Sequence, residues 1–586
     1  MKNIFFKHFS LRGQHTTEKA VKSFSIGERL IFFTLTTIMA ISTFGILLSI
    51  SNSFTVVKPI KGGSFREGIV GSPRFINPVL AISDADRDLS TLFFSGLMRA
   101  TDDGYLTPEL ANHFEISSDG LVYTFRLRDD IFFHDGEPIT ADDVLFTIDK
   151  TKDPSIKSPK RAEWEGVKAE KIDDKTVTFT LTRPYFPFIE NTTLGIIPKH
   201  IWSDVSSEEF PFSLQNIEPV GSGPFKIENT KANKSGIPTS YTLASFDKYI
   251  DIPPHLNQIE VLFYKNESDL IKAWQDNKID SFGGVSPESV KNILDQEKSA
   301  LLNFNLPRIF GVFLNQNQNS IFGTENIRIA LNLAVDKEEI LNEILLGYGE
   351  ILSGPLPNNL LEIKEEVSTI DIEKAISLLE KAGWELEEGQ EYRTKTTKQK
   401  NTTETTTLQF SLSAPNVPEL KSVANKLAED WKKIGVLVEV KLFELSDLNQ
   451  NIIRPRQYEA LLFGEVIGRN PDLTAFWHSS GRNDPGYNIA LYTNTKTDKL
   501  LEQLRIETNP ENRLSLLRSI SEKITADTPT IFLYSPNYLY LPPKNIKGLR
   551  NGFIASPSER FSEIKNWYIE TQNIWPIFEK TTNLIF

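Results

Sequence analysis

Cysteine is absent from the 586 residues. That excludes a disulfide framework, a thiolate zinc site, a cysteine nucleophile and a lipidated N-terminal cysteine. Histidine is scarce, at seven: His8, His15, His113, His134, His200, His255 and His478. No two lie within four residues of each other and His-Glu-x-x-His is missing, so spacing assigns no metal. Neither Gly-x-Ser-x-Gly nor Gly-x-x-x-x-Gly-Lys-Ser/Thr occurs. A serine mounted on an elbow and a loop that cradles nucleotide phosphates are therefore unsupported. Cations are outnumbered, with 64 Lys and Arg against 77 Asp and Glu and a net charge of −13. An acidic chain does not bind nucleic acid through its phosphates, so no nucleic-acid partner is expected. The carboxylates are numerous, but their spacing singles out no acid–base pair, and a solvated acidic surface accounts for them. No catalytic residue, metal or cofactor is assigned.

What is present is a large core. Hydrophobic residues make up 39% of the chain and phenylalanine alone accounts for 39 positions. Single cores stop growing near about 250–300 residues, so two or more lobes are expected. Leu30–Ile50 carries no charge and matches the roughly 20 residues a spanning helix needs. Six Lys and Arg precede it against two Glu, which keeps the arm 1–29 in the cytoplasm and exports the body. We read 30–50 as an uncleaved transmembrane anchor. A cleaved signal peptide and a buried core helix are the alternatives.

After Phe54 strands and helices alternate. Leu121–Gly136 and Lys175–Phe188 show period-2 patterning, with Tyr123, Phe125 and Leu127 on one face. Thr140 followed by Asp143, and Asp336 followed by Glu339, read as helix starts. Ser286–Leu294 begins a helix with Ser-Pro. Thr406–Pro415, Val423–Gly435 and Val436–Phe443 form a strand–helix–strand unit, which implies an α/β sheet with helices on its faces. The threonine-rich stretch Glu387–Thr407 reads as an exposed hairpin tip or mobile loop. "EPVGSGPFKI" (Glu218–Ile227) holds two glycines but no helix start follows, so a phosphate site is disfavoured. A tight turn is expected, with Gly221 or Gly223 in a backbone conformation that other residues avoid.

Several segments, in order, resemble one family: the family 5 extracytoplasmic solute-binding proteins of ABC transporters, of the oligopeptide- and dipeptide-binding type. The opening Gly62–Asp149 is similar to that family's, with Ile76–Pro78, "SGLMR" (Ser95–Arg99), Pro108–Ala111 and above all "YTFRLRDDIFFHDGEPITADDV" (Tyr123–Val144). "EPVGSGPFKI" resembles its Pro-Val-Gly-Thr-Gly-Pro-Phe turn, and "NIRIALNLAVDKEEIL" (Asn326–Leu341) resembles its Arg-x-Ala-Leu helix. The likeness runs from Gly62 to about Lys565.

The resemblance implies a two-lobed periplasmic-binding-protein-like fold (type II, cluster C) with an inserted third domain. Mapped here, lobe I is 62–96 with 201–306 and 527–569, the inserted domain is 97–200, and lobe II is 307–526. It implies a non-enzymatic receptor, its body in the periplasm or outside the cell. That receptor would bind peptide in an inter-lobe cleft and deliver it to the permease subunits of an ABC importer. Other solutes on the same fold, an oligosaccharide or a nickel complex, are the alternative. A cleft-based hydrolase or chaperone is a remote one. For ligand contact the resemblance points first to Leu461–Asn488, where relatives place an acid that captures the peptide amine ahead of an x-Pro-Asp turn. Asn470–Asp472 matches that turn. The relatives' aspartate falls near Val466–Gly468, where no acid stands, and Glu465 is the nearest candidate. Phe476, Trp477, Tyr487 and Asn488 on the same loop, Phe75 and Asn77 after the first strand, and Phe310, Phe313 and Asn315 on the strand entering lobe II complete the expected contacts.

Overall fold

The structure, a computed structural model, describes residues 23–250, 252–296, 300–361, 370–399 and 402–574. The expected cytoplasmic arm up to residue 22, with His8 and His15, lies outside the described residues. The chain divides into two compact units. The first contains helix Ile26–Phe54 and a two-stranded antiparallel pair, Val56–Pro59 with Thr571–Ile574. The helix begins before Leu30 because Ser25 and Glu28 form a capping box: the Glu28 carboxylate accepts the Ser25 N–H at 2.8 Å and the Ser25 hydroxyl accepts the Glu28 N–H. Among the described residues it is the one helix long and apolar enough to cross a membrane.

The second unit, Lys61–Ile569, is built on a 12-stranded mixed sheet. On one side of the long strand Thr530–Leu541 lie, in order, Arg308–Leu314, Ala460–Val466, Gln409–Pro415 and Leu437–Phe443. On the other lie Ser281–Gly283, Ser64–Val70, Gln258–Tyr264, Pro238–Ser245 and Phe225–Ala232. The long strand pairs with Arg308–Leu314 through Thr530–Tyr534 and with Leu302–Asn305 through Asn537–Tyr540. One strand thus serves both halves, and its side chains divide accordingly. Ile531, Leu533 and Tyr534 join the core of Val312, Phe410, Leu412 and Trp431, whereas Tyr540 joins that of Phe65, Phe225, Val261 and Trp567. The strand–helix–strand unit forms as expected: Gln409–Pro415 and Leu437–Phe443 run parallel and are bridged by helix Pro418–Lys433. Burial on both sheet faces supplies the stabilisation, at roughly 25 cal/mol per Å² of apolar surface.

A separate four-stranded antiparallel sheet is formed by Ala111–Ile116, Val122–Leu127, Thr176–Thr180 and Lys168–Asp173. Tyr123, Phe125 and Leu127 are buried on one face of it, as the period predicts. Helix Ala141–Lys152 starts at the Thr140–Asp143 capping box and packs into the same core. The threonine-rich stretch is an exposed hairpin, paired from Thr394↔Thr407 to Gln399↔Thr402.

The glycines of "EPVGSGPFKI" behave differently from expectation. Neither Gly221 nor Gly223 has a positive φ. Space, not conformation, demands them: a Cβ on Gly221 would lie 1.9 Å from the Phe93 carbonyl oxygen, and one on Gly223 2.5 Å from that of Leu92. As expected, a strand and not a helix follows, at Phe225–Ala232.

His134 closes this loop. Its Nδ1 accepts the Gly221 N–H at 3.2 Å and its Nε2 lies 3.1 Å from the Gly223 carbonyl oxygen, which sets the Nε2–H tautomer. Burial pushes the imidazole down to about 4. The unfolded chain, titrating near its ordinary 6.5, therefore takes up this proton first as pH falls. His134 stabilises fully above about pH 6.5 and loses about 3 kcal/mol between there and pH 4. Urea unfolding of wild type and His134→Gln at pH 7 and pH 4.5 should show a smaller loss in the variant. Equal losses would remove the histidine from the pH response.

Candidate functional site

The site grows from two neighbouring antiparallel strands, Arg308–Leu314 and Ala460–Val466, in which Ile309 faces Glu465 and Arg308 faces Val466. Along both strands alternate residues enter one apolar core, Ile309 and Phe313 on the first and Leu461 and Phe463 on the second. Glu465 continues that face. Period-2 geometry therefore pushes a carboxylate to where the preceding positions bury hydrocarbon.

Glu465 is 5% exposed, and among the described residues neither Oε1 nor Oε2 has a hydrogen-bond partner. Burial alone raises its pKa well above the carboxylate range. It lines a cavity of about 760 Å³ together with Phe463, Phe476, Tyr487, Ile453 and Arg456. Arg456 does not neutralise it: that guanidinium donates to the carbonyl oxygens of Ile453, Arg482 and Gly486. The cavity is mixed in character: Ile453, Phe463, Phe476 and Tyr487 give it hydrocarbon, Asn449, Gln450, Arg454 and Asp484 give it polar groups, and Glu465 is the buried carboxyl group among them, a setting that suits an ammonium with hydrocarbon beside it.

A second cavity of about 610 Å³ adjoins the first at Val466, which lines both. Its walls come from both halves of the sheet and from the four-stranded domain: Arg308, Arg469, Glu190, Lys160, Arg87 and Glu559. The loop after Val466 holds these parts together. The Asn470 N–H donates to Glu190 Oε1 at 2.5 Å, Arg469 pairs with Glu559, and the Arg469 guanidinium lies 5.4 Å from the Phe553 ring centre. Asp472 caps the next turn by accepting the Thr474 N–H at 3.1 Å and pairs with Arg505 at 3.3 Å.

Of the residues expected from sequence, Glu465, Phe476 and Tyr487 line the first cavity, Tyr487 with 66% of its surface exposed. Asn470 and Asp472 stand on the connecting loop. The others do different work and line neither cavity. Trp477 and Phe313 are core, their rings 6.4 Å apart. Asn488 is buried and orders its own loop through the His478 and Tyr492 carbonyls and the Tyr492 N–H. Asn315 accepts the Asn317 N–H and donates to the Arg456 carbonyl oxygen. Asn77 turns the chain by accepting the Val79 N–H. Phe75 packs against the first-half core with the Arg74 guanidinium 4.9 Å above it, and Phe310 stacks on Tyr534 at 5.2 Å. For Asn315 and Asn488 the reason is general: a buried amide must be hydrogen-bonded, and the nearest backbone satisfies it first, whereas at Asn77 only the amide oxygen is satisfied and its Nδ2 is buried without a partner among the described residues. Sequence reading missed Arg308, Arg469 and Glu190. The one signal was an arginine opening the otherwise apolar run "RIFGVFL" (Arg308–Leu314).

Comparison with known proteins agrees with this architecture. Residues 106–488 match the family model for bacterial extracellular solute-binding proteins, family 5 (middle). Over 528 residues the chain is 27% identical to the oligopeptide-binding protein AppA of Bacillus subtilis (strain 168), covering 87% of this chain and 92% of that protein. The structure of that AppA in complex with a nonapeptide superposes with a TM-score of 0.67 at 25% identity, covering 88% of this chain and 100% of the other. CtaP of Listeria monocytogenes, an ABC transporter substrate-binding protein, gives 0.73 at 27% identity over 87% and 99%. NikZ of Campylobacter jejuni in complex with Ni(L-His) gives 0.68 at 25% over 86% and 99%. With a two-lobed α/β fold, a cavity lined from both halves of one sheet and this match across most of its length, the chain belongs to the family 5 bacterial extracellular solute-binding proteins.

Proposed function

We propose that this protein is a membrane-anchored receptor outside the cytoplasm that captures peptides between its lobes and delivers them to the permease of an ABC importer. The observation that carries the peptide reading is Glu465, a buried carboxyl group with no hydrogen-bond partner among the described residues, in the wall of a cavity of about 760 Å³. A free peptide amine supplies the charge and the donors that it lacks. AppA, the relative described above, is an oligopeptide-binding protein with a nonapeptide in its structure, which supports the same ligand class. Helix Ile26–Phe54, with the preceding cationic arm, supports an anchor that keeps the body outside. The role is binding and not catalysis.

The lobes are then 62–96 with 201–306 and the C-terminal segment, and 307–526, with 97–200 inserted. Closure bends the chain at Leu306–Pro307 and within Thr530–Leu541. Packing of Ile531–Tyr534 with the second-half cores supports a crossing inside that strand. Ligand contacts made across both lobes would drive closure.

The test is a thermal-shift screen of the full chain in detergent micelles against pooled peptides, oligosaccharides and nickel–histidine. Peptide pools should raise the Tm; a ligand at a hundred times its Kd stabilises by about 2.7 kcal/mol. A shift with sugar or nickel–histidine and none with any peptide would overturn the peptide reading.

A further inference from the structure

The first unit holds an arrangement that solute binding does not use. Helix Ile26–Phe54 runs almost directly into strand Val56–Pro59, which pairs antiparallel with Thr571–Ile574. The register sets Ile574 beside Val56 and Thr571 beside Pro59. Antiparallel pairing fixes the direction: the first strand leaves the helix end, and the second comes back towards it. The chain after Ile574 is therefore delivered to the point where the helix stops. With residues 30–50 in the hydrocarbon, Ile50 to Phe54 climbs about 6 Å at roughly 1.5 Å per residue. One headgroup layer is about 5–7 Å thick, so Val56 stands at the membrane surface.

What the chain carries around this point is apolar. No charge occurs between Arg29 and Lys58, and none between Glu570 and Glu579. Val56 and Val57 are 49% and 56% exposed. Residues 575–586, outside the described residues, read "WPIFEKTTNLIF". Trp575, Ile577, Phe578, Leu584, Ile585 and Phe586 are large and apolar, and the charges of Glu579 and Lys580 cancel. The segment is shorter than the roughly 20 residues that a spanning helix needs. Tryptophan and phenylalanine beside a membrane-crossing helix suit the headgroup boundary, where a ring meets hydrocarbon on one side and water on the other. We infer that Val56, Val57 and the segment 575–586 form a second membrane contact, apolar and interfacial, in the leaflet through which the helix exits.

The inference rests on the reading of the helix as an anchor. Alone, a short apolar segment binds lipid weakly and reversibly. Here the helix already holds it at the surface, so insertion is intramolecular and a weak intrinsic affinity suffices. Because the side-chain charges of 575–586 sum to zero, the contact is hydrophobic and needs no anionic lipid. The chain leaves this unit at Ile60 and re-enters it at Glu570. The body 61–569 would thus be attached to the bilayer through both of its ends.

The lack of native cysteine makes a single introduced one unique, which allows a direct test. The full chain carrying Thr581→Cys is spin-labelled and reconstituted in phosphatidylcholine vesicles. Lipid contact is read as the ratio of label collisions with oxygen, which concentrates in hydrocarbon, to collisions with a water-soluble nickel chelate. Thr403→Cys on the exposed hairpin gives the water reference, and Phe44→Cys in the apolar helix gives the lipid reference. The ratio at 581 should exceed that at 403 by at least about three-fold. It should persist in about 1 M salt, where charge contacts are screened. Replacing Trp575 and Phe578 together with serine should return it to the value at 403 and leave position 44 unchanged. A ratio at 581 equal to that at 403, with 44 in lipid, would overturn the second contact and leave the anchor standing. A ratio at 44 equal to that at 403 would overturn the anchor and this inference with it. Loss of contact in salt, or no response to the serine replacements, would overturn its apolar basis.

Discussion

Replacing Arg560 with methionine should lower unfolding free energy by about 3–5 kcal/mol, because it strands two buried carboxylates. Arg560 grips Asp88 with two bonds, Nη1 to Oδ1 at 2.8 Å and Nη2 to Oδ2 at 2.7 Å, and reaches Glu67 Oε1 at 3.2 Å. Its guanidinium lies 4.0 Å from the Phe561 ring centre and donates to the Pro557 carbonyl oxygen at 2.9 Å. Burial raises both carboxyl groups, and Arg560 is the largest influence holding each down. Without it, both are pushed higher still, so the variant's deficit should grow with pH. Glu67→Gln is the contrast. Asp88 keeps its bidentate partner, and the Ser281 and Tyr540 hydroxyls that donate to Glu67 keep an acceptor. The amide nitrogen then faces Arg560 Nη2, which loses its acceptor on Glu67 but keeps Asp88, so the cost should be about 1–3 kcal/mol, below that of Arg560→Met. Urea unfolding of both variants at pH 6 and pH 8 decides the point, and equal costs would show that Arg560 acts through packing alone. The network matters to the site because Arg560 sits in the turn Pro557–Phe561, whose Glu559 meets Arg469 at the cavity wall.

Glu465 should respond in the opposite direction. Glu465→Leu is expected to stabilise the ligand-free protein by about 1–3 kcal/mol, since it removes an unsatisfied buried polar group. The pH dependence has a definite sign. The folded-state pKa is raised by burial, so the folded chain holds a proton that the unfolded chain releases above the ordinary carboxylate range. Glu465 therefore destabilises increasingly as pH rises, and the gain from leucine should be larger at pH 8 than at pH 5. Binding should move the other way. Losing one member of a buried charge pair costs about 2–5 kcal/mol, or roughly 30-fold or more in Kd. Glu465→Gln, which keeps the shape, should show the same loss in peptide titration. A variant more stable than wild type yet unable to bind would mark Glu465 as a group kept for ligand at the expense of stability. Unchanged affinity would dismiss it.

How much of this was legible in the sequence follows from the range of the forces involved. Strand periods, the Thr140 and Ser286 helix starts, the parallel strand–helix–strand unit and the exposed threonine hairpin depend on residues a few positions apart, and they were read correctly. The apolar helix was read because its composition alone decides it. Glu465 was reached by its resemblance to the amine-capturing segment of relatives, but the reason it matters was not visible. Its lack of a partner is a property of every chain segment around the cavity. Arg308 and Arg469 were missed for the same reason: whether an arginine is satisfied depends on acids far away in the chain, 90 residues for Arg469 with Glu559 and 493 for Arg560 with Glu67.

"EPVGSGPFKI" marks the boundary between the two kinds of information. By itself the sequence determined that a strand and not a helix follows these glycines, that the chain is a multi-lobed α/β body behind one apolar helix, and which family it resembles. Only the tertiary structure decided why glycine is needed there: the carbonyl groups of Leu92 and Phe93 pass within 1.9–2.5 Å of where a Cβ would sit. It also decided that Trp477, Phe313, Asn77, Asn315 and Asn488 serve packing and turns, while Glu465 stands without a hydrogen-bond partner among the described residues at the end of two paired strands. Local pattern is encoded by neighbours in the chain. Steric room and charge compensation are settled by neighbours in space, and these come together only when the fold closes.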